Sequence, residues 1–299
     1  MSILVVGSVA YDSVETPQGK VTDALGGSAL YFSSAARFFA PVNVVGVVGK
    51  DFNFSEIEFL KKHQVDLEGL VVENGETFRW GGKYHPNLDD RDTLYTYLNV
   101  FENFKPIIPE NYRKNKFVFL ANIDPKLQLD VLESIEKPDL VVLDTMNFWI
   151  SGMRKELDMV LQKVDMAIFN EEEIYQLTEI PNLFDAAKII LKGGLKTLVI
   201  KRGKYGSILA NQNGYFFGPA YPVTKVVDPT GAGDSFAGGL IGYLADCGEI
   251  NETNLRKAVI YGTVVASFNV EDFSLNRLKQ INRNDIEARL EELRKMTVF

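Results

Sequence analysis

The chain is poor in the residues that build disulfide frameworks and metal clusters. Its 299 residues include one cysteine, Cys247, and two histidines, His63 and His85. A single cysteine excludes an intrachain disulfide and a cysteine-rich zinc site. The two histidines lie far apart in the sequence, so we interpret them as surface residues rather than metal ligands.

Positive charge and long apolar runs are also scarce. The 32 Lys and Arg residues are outnumbered by 40 Asp and Glu residues, which gives a net charge of -8. A basic face for nucleic acid is therefore not expected. The first apolar run, Ile3–Val6, has no basic region before it and is too short for a signal peptide or a membrane span. We therefore expect a cytoplasmic protein without a membrane partner.

Two common nucleotide-binding motifs are missing as well. The sequence contains no Gly-x-x-x-x-Gly-Lys-(Ser/Thr), and no Gly-x-Gly-x-x-Gly follows its first strand. These absences argue against a P-loop enzyme and against a dinucleotide-binding dehydrogenase.

What the sequence does contain is an alternation of short apolar runs with helical segments. Strands are predicted at residues 3–7, 42–48, 117–121, 140–144, 166–170 and 197–201, and helices at residues 28–40, 54–63, 125–136, 151–164, 171–178, 183–191, 233–247, 254–269 and 285–295. Nearly continuous apolar strands are typical of a parallel sheet covered on both faces. The pattern predicts an α/β fold with right-handed crossovers.

One region breaks this alternation. Residues 77–84 and 93–101 alternate in polarity, are rich in aromatic residues, and are joined by the polar stretch 87–92. This pattern indicates a hairpin-like antiparallel element. It is either an extra edge of the sheet or a β-lid over an active site, joined by residues 13–24.

The segment from Asp228 to Gly239 predicts a phosphate cradle with a built-in base. Gly231 and Gly233 allow the main chain to approach a ligand, and the amides of residues 231–234 would open a helix N-terminus, where anions bind. A carboxylate beside a phosphate is repulsive, but Asp234 could take the proton from a hydroxyl that attacks the phosphoryl group. The alternative is a tight glycine turn in which Asp234 caps the helix.

As a whole, Asp-Pro-Thr-Gly-Ala-Gly-Asp-Ser-Phe-Ala-Gly-Gly closely resembles the C-terminal signature of the ribokinase (PfkB-type) family of sugar and nucleoside kinases. Residues 43–51 resemble the family's first signature. The resemblance implies one doubly wound α/β domain over residues 1–299, with a small β-sheet lid from about 13–24 and 76–104. It implies ATP and Mg²⁺ as cofactors, Asp234 as general base, and Gly231, Ala232 and Gly233 as the catalytic anion cradle.

The resemblance also assigns the acceptor site. Asp12 matches a family aspartate that binds sugar hydroxyls, and Gly26 and Gly27 match a Gly-Gly motif on which the sugar lies. Tyr31 occupies the place where relatives of ribokinase usually carry an asparagine. This departure puts a large ring where a polar sugar contact is expected, and argues against simple ribose or fructose recognition.

Cofactor residues follow in the same way. Asn170 and Glu173 match an Asn-x-x-Glu motif that organises Mg²⁺ and its waters, although acids at a helix N-terminus are also explained by the helix dipole. The expected ATP-binding residues are Asn170, Lys201, Gly203, Gly206, Thr230 and Asn269. Asp228 is a candidate ligand for a monovalent cation such as K⁺, which the sequence leaves open because residues 270–274 lack the usual glycine pattern.

The sequence therefore predicts an ATP-dependent kinase that phosphorylates an alcohol, with the hydroxymethyl of a sugar slightly favoured over that of a nucleoside. The aromatic residues of the expected lid could stack on a nucleobase or form a homodimer interface, since aromatic residues are enriched at interfaces. The rival from another class is a non-catalytic ligand-binding protein on the same scaffold.

Overall fold

A nine-stranded sheet forms the centre of the computed structural model, which describes residues 1–298. Its strand order is β13-β12-β11-β10-β9-β8-β1-β4-β5, parallel except at the β11–β12 and β12–β13 pairs. The strands of the chain are β1 (Ile3–Val6), β2 (Ala10–Thr16), β3 (Gly19–Gly26), β4 (Val42–Val48), β5 (Val65–Val72), β6 (Phe78–Tyr84), β7 (Arg91–Tyr97), β8 (Phe117–Leu120), β9 (Leu140–Asp144), β10 (Met166–Asn170), β11 (Thr197–Lys201), β12 (Ser207–Asn211) and β13 (Gly214–Gly218).

Helices cover both faces of this sheet. They are α1 (Ser28–Ala36), α2 (Glu58–Lys61), α3 (Pro125–Ser134), α4 (Asn147–Gly152), α5 (Arg154–Leu161), α6 (Glu171–Thr178), α7 (Leu183–Lys192), α8 (Ala232–Cys247), α9 (Glu252–Asn269), α10 (Asn276–Gln280) and α11 (Arg283–Thr297). Because side chains alternate between the two faces along a strand, the side chains of β1 pack into two apolar layers, one on each face of the sheet. Ile3 and Val5 pack with residues of α1 and α8, whereas Leu4 and Val6 pack with residues of α3, α5 and α7.

The predicted doubly wound, mostly parallel sheet is confirmed. The prediction missed β5, whose polar Asp66 and Glu68 interrupt the apolar run at the sheet edge, and it missed the antiparallel strands β12 and β13. The predicted helix 28–40 ends at Ala36, because residues 37–39 already form a turn before Pro41. The helix predicted at 151–164 is divided into α4 and α5 around Met153.

A separate four-stranded sheet has the order β3-β2-β6-β7, and we call it the small sheet. β2 and β6 are parallel, and the two outer pairs are antiparallel. The small sheet expected from residues 13–24 and 76–104 is therefore present. It begins earlier than expected, at Ala10, so Asp12 lies within a strand rather than in a turn.

No helix within residues 1–298 has both the length and the apolar character needed to cross a membrane.

Candidate active site

Three adjacent parallel strands end in polar residues at one edge of the large sheet. Asp144, Asn170 and Lys201 are the last residues of β9, β10 and β11. Because these strands are neighbours and parallel, their final side chains meet at the carboxyl edge, where open α/β sheets bind ligands. The N-terminus of α8 approaches the same edge, since Lys201 lies against Gly233.

Lys201 is the cation at this helix start. Its Nζ lies 3.3 Å from Asp144 Oδ1 and 3.1 Å from the place where a Cβ on Gly233 would stand. Burial alone would lower the pKa of Lys201, but the carboxylates of Asp144, Glu173 and Asp234 raise it to about 12. The side chain is therefore held as a positive charge beside the glycine loop.

The loop before α8 has the backbone that the sequence predicts. Gly231 has φ 74° and is the N-cap of the helix. A Cβ there would overlap the ring of Tyr31, so a glycine is required on both counts. The Ala232 amide donates to the Pro229 carbonyl at 3.2 Å. The Ala232 amide is therefore already hydrogen-bonded, whereas the predicted anion cradle requires this amide to be free for the phosphate.

Asp234 lies in the first turn of α8 and is half-buried. Burial and the negative charge of Asp144 raise the pKa of Asp234 to about 7, although Lys201 opposes the shift. A carboxyl with this pKa is matched to proton transfer near neutral pH.

Asn170 and Glu173 form a capping box at the start of α6. Asn170 Oδ1 accepts from the Glu173 amide at 2.7 Å, and Glu173 Oε2 accepts from the Asn170 amide at 2.8 Å. Burial raises the pKa of Glu173 to about 7, with Asp144 adding to the shift and Lys201 opposing it. The helix-stabilising role of this pair is thus observed, and it leaves the second oxygen of Glu173 outside the box.

Asp12 approaches the same site from the small sheet. Its carboxylate fills the space above Gly26, where any Cβ would overlap it, and it is 6 % exposed. Burial raises the pKa of Asp12 to about 7, together with the negative charges of Asp228 and Asp234, although a hydrogen bond from the Gly27 backbone opposes the shift. The charges of Asp228 and Asp234 thus act on the same buried carboxyl, and that of Asp228 has the larger effect on its pKa.

Tyr31 lies within the electrostatic influence of these acidic groups. It is buried on α1, and its ring lies under the Gly231 backbone. Burial raises the pKa of Tyr31 well above its usual value, and the charges of Asp12 and Asp228 add to the shift. The structure thus brings the ring of Tyr31 into contact with the glycine loop.

Asp228, Thr230 and Asn269 form the buried support of that loop. Asp228 Oδ1 accepts from the Thr230 amide at 2.8 Å, and Asn269 Nδ2 donates to the Thr230 carbonyl at 2.8 Å. Within residues 1–298, Asp228 Oδ2 and Asn269 Oδ1 are buried and have no hydrogen-bond partner. These two unsatisfied buried oxygens, one on the loop and one at the end of α9, call for a positively charged or donating group.

The small sheet contacts this loop and the turn after β11. The Thr230 hydroxyl donates to Tyr84 Oη at 3.2 Å, and the Thr16 hydroxyl donates to the Val227 carbonyl at 2.8 Å. Lys204 Nζ lies 2.7 Å from Asp89 Oδ2 in the turn between β6 and β7. The small sheet is therefore joined to the large one at three points around the site.

The turn from Gly203 to Gly206 joins β11 to β12. Both glycines have positive φ, 52° and 86°. Arg202 pairs with Glu171 at 2.6 Å. Of the cations that the sequence singles out, Lys201 is the one that lies against the glycine loop.

Sequence reasoning missed Asp144 and Tyr84. Asp144 ends the apolar run Leu140–Asp144, and a carboxylate at the end of a buried parallel strand is the signal that would have found it. Tyr84 belonged to the aromatic set of the expected lid, but nothing in the sequence indicates its bond to Thr230.

Comparisons with known proteins agree with this geometry. The profile of the pfkB family of carbohydrate kinases matches residues 2–280. A cytidine kinase of Thermococcus kodakarensis is 31% identical over 251 residues, which cover 81% of this chain and 88% of the relative.

Two solved structures share the fold. The nucleoside kinase of Methanocaldococcus jannaschii superposes with a TM-score of 0.79 at 20% identity, covering 97% of this chain and 98% of the other. A putative ribokinase II of E. coli in complex with ATP and Mg²⁺ gives a TM-score of 0.79 at 19% identity, covering 97% of this chain and 99% of the other.

Proposed function

This chain belongs to the pfkB family of carbohydrate kinases, and from that membership we propose that it transfers the γ-phosphoryl group of ATP to the hydroxymethyl group of a nucleoside. The observation that carries the proposal is the convergence of Asp234, Lys201 and the glycine loop at the start of α8.

Asp234 would act as the general base. The acceptor hydroxyl oxygen attacks the γ-phosphorus, the bond from that phosphorus to the β,γ-bridging oxygen breaks, and the hydroxyl proton passes to Asp234. ADP leaves with the bridging oxygen. Base catalysis of this kind contributes roughly 100- to 10,000-fold to the rate.

The phosphoryl charge would be held by the glycine loop and by Lys201. The amides of Gly231 and Gly233 belong to the positive end of the α8 dipole. The Ala232 amide must first leave the Pro229 carbonyl to contribute a third donor. Donors aimed at developing charge typically contribute about 3–4 kcal/mol each.

Asn170 and Glu173 suit a magnesium ion that is held through water. The capping box fixes both side chains and engages one carboxylate oxygen of Glu173, so the other oxygen faces no competing backbone donor of the box. Oxygen ligands with retained waters are what Mg²⁺ prefers, and the ion would neutralise phosphate charge when bound with ATP.

Asp12 would fix the acceptor by accepting hydrogen bonds from two adjacent hydroxyls. Gly26 gives that carboxylate its place, since any Cβ there would overlap it, and Tyr31 lies against Gly231 of the glycine loop. The small sheet would act as a lid that excludes water, secured by the contact of Tyr84 with Thr230.

Asp228 and Asn269 fit a monovalent cation. Their partnerless buried oxygens would both be satisfied by K⁺, which would neutralise Asp228 behind the glycine loop. We propose such a site, and it predicts that KCl stimulates the wild-type enzyme more than tetramethylammonium chloride does.

The nucleoside is preferred as acceptor because a cytidine kinase is 31% identical to this chain. Tyr31, in the place where an asparagine is usual, also argues against simple ribose. A free sugar is the second candidate, because Asp12 recognises vicinal hydroxyls in either compound.

A coupled assay of ADP release tests the function. Wild type and Asp234→Ala are assayed with Mg-ATP against nucleosides, sugars and phosphosugars, with and without K⁺. We expect release that depends on a nucleoside and is lost in the variant. ATP binding without turnover of any acceptor would contradict the proposal and favour a sensor.

A further inference from the structure

Trp80 lies beside the acceptor carboxylate. Strands β2 and β6 are parallel, and their register pairs Asp12 with Trp80. Paired residues of neighbouring strands direct their side chains to the same face of a sheet. Tyr84, four residues further along β6, lies on this face too and reaches Thr230. The face that carries Asp12, Trp80 and Tyr84 is therefore the one turned toward the glycine loop.

The indole of Trp80 lies over its own strand. A Cβ on Gly82 would overlap the six-membered part of this ring, so the ring extends along β6 over the Gly82 backbone. Part of the indole therefore packs against that backbone. The residue remains partly exposed.

The neighbouring aromatic rings have other partners. Phe78 stacks on Phe101 with ring centroids 5.3 Å apart, and Tyr95 stacks on Tyr97 at 4.9 Å. Tyr95 covers Gly81, which faces the other side of the strand. Trp80 has a cation as its neighbour instead, since Arg91 Cζ lies 5.7 Å from the ring centroid.

We propose that Trp80 is the platform on which the base of the acceptor nucleoside stacks, and that Gly82 leaves the space that the indole of this platform occupies. The proposal rests on the proposed function and adds the residues that would distinguish a nucleoside from a free sugar. With the hydroxyls of the ribose held at Asp12, the attached base would extend along the adjacent strand. Arg91, whose guanidinium lies over the ring, supplies donors for oxygen atoms of the base.

Tryptophan fluorescence reports on this contact without turnover. The chain has two tryptophans, and Trp149 lies on α4, where its indole donates to Asn122 at 3.0 Å. In a Trp149→Phe background, Trp80 is therefore the single emitter. We expect cytidine, uridine, adenosine or inosine to change its emission saturably, while D-ribose leaves it unchanged.

Steady-state kinetics give the second readout. Stacking on an aromatic side chain is lost in Trp80→Ala, so we expect the KM for the nucleoside to rise roughly 5- to 100-fold with kcat little changed. Trp80→Phe keeps a smaller platform and is expected to restore much of the loss. Turnover of D-ribose, where it is measurable, should not respond to either substitution.

Adjacent glycines provide a matched pair of variants. Gly82→Ala would displace the indole while keeping it in the chain, so its KM should rise as in Trp80→Ala. Gly81→Ala would displace Tyr95 on the other face, so its KM should stay within about twofold of wild type, below the range that loss of a stacked base produces.

The experiments distinguish an error in the stacking proposal from an error in the assignment of the protein as a nucleoside kinase. Nucleoside turnover with an unchanged KM in Trp80→Ala and Gly82→Ala overturns the stacking platform and leaves the kinase in place. Equal effects of Gly81→Ala and Gly82→Ala also overturn it. A wild type that neither turns over nor binds any of the four nucleosides refutes both.

Discussion

Lys201 and Asp144 form an ion pair, with 3.3 Å between Nζ and Oδ1, that reaches across the end of the strand lying between theirs. Asp144 is buried at the end of β9, so its position is fixed by the sheet. The pair therefore holds the lysine beside Gly233, where the phosphoryl group would lie.

Asp144→Asn should lower kcat by roughly 10- to 100-fold, because Lys201 loses the charge that positions it. The negative charge of Asp144 also raises the pKa of Asp234, so the limb of the pH–rate profile near pH 7 should move to lower pH. Lys201→Met is the matched variant, and it should move this limb to higher pH. If kcat falls but this limb of the pH–rate profile stays at the same pH in both variants, Asp144 has only a structural role.

Asp234→Asn should lower kcat by roughly 100- to 10,000-fold, because the amide cannot accept the hydroxyl proton. The affinity for ATP, measured by calorimetry, should stay near that of wild type, since Asp234 acts on the acceptor. Wild-type activity should rise with pH through about 7, the pKa to which burial raises Asp234. Full turnover in the variant would eliminate Asp234 as the base.

Asp12→Asn should stabilise the ligand-free protein at alkaline pH. Burial raises the pKa of Asp12 from 3.8 to about 7, so the folded state binds this proton more tightly than the unfolded state does. The resulting stabilisation is complete below pH 3.8 and is lost as the pH rises through about 7.

The asparagine does not titrate, so its free energy of unfolding should exceed that of wild type by about 1–3 kcal/mol more at pH 8 than at pH 5. Urea unfolding at the two pH values measures this difference. An equal difference at both would show that ionisation of Asp12 does not destabilise the fold.

The contact of Lys204 with Asp89 should help to close the small sheet over the site. Lys204→Asp should raise the KM for the acceptor by roughly two- to fivefold, a modest change because both partners are exposed. The double variant Lys204→Asp, Asp89→Lys restores opposite charges and should recover most of the loss at low salt. Additive effects of the two single substitutions would show that the pair is not coupled.

The sequence predicted the central sheet well because its strands are buried on both faces and read as apolar runs, as in Met166–Asn170. It predicted the glycine loop because Gly231 needs φ 74°, which few other residues adopt. It did not reveal β5, since an edge strand tolerates polar residues such as Asp66.

Contacts between distant segments could not be predicted from the sequence either. Asp144 and Lys201 are 57 residues apart, and only the strand order brings them together. The pairing of Tyr84 with Thr230 spans 146 residues. Local patterns carry no information on such pairs, because they depend on how the small sheet docks on the large one.

The residues of the candidate site are distributed between the two sheets. Asp12 and Trp80 belong to the small sheet, whereas Asp144, Lys201 and Asp234 stand on the large sheet and α8. With the roles proposed for these residues, substitutions that accumulate in β2, β6 and β7 would change which alcohol is accepted and would leave the proposed phosphate-handling groups in place. On this proposal, a lineage with this arrangement would acquire new acceptors while it inherits the ATP chemistry unchanged.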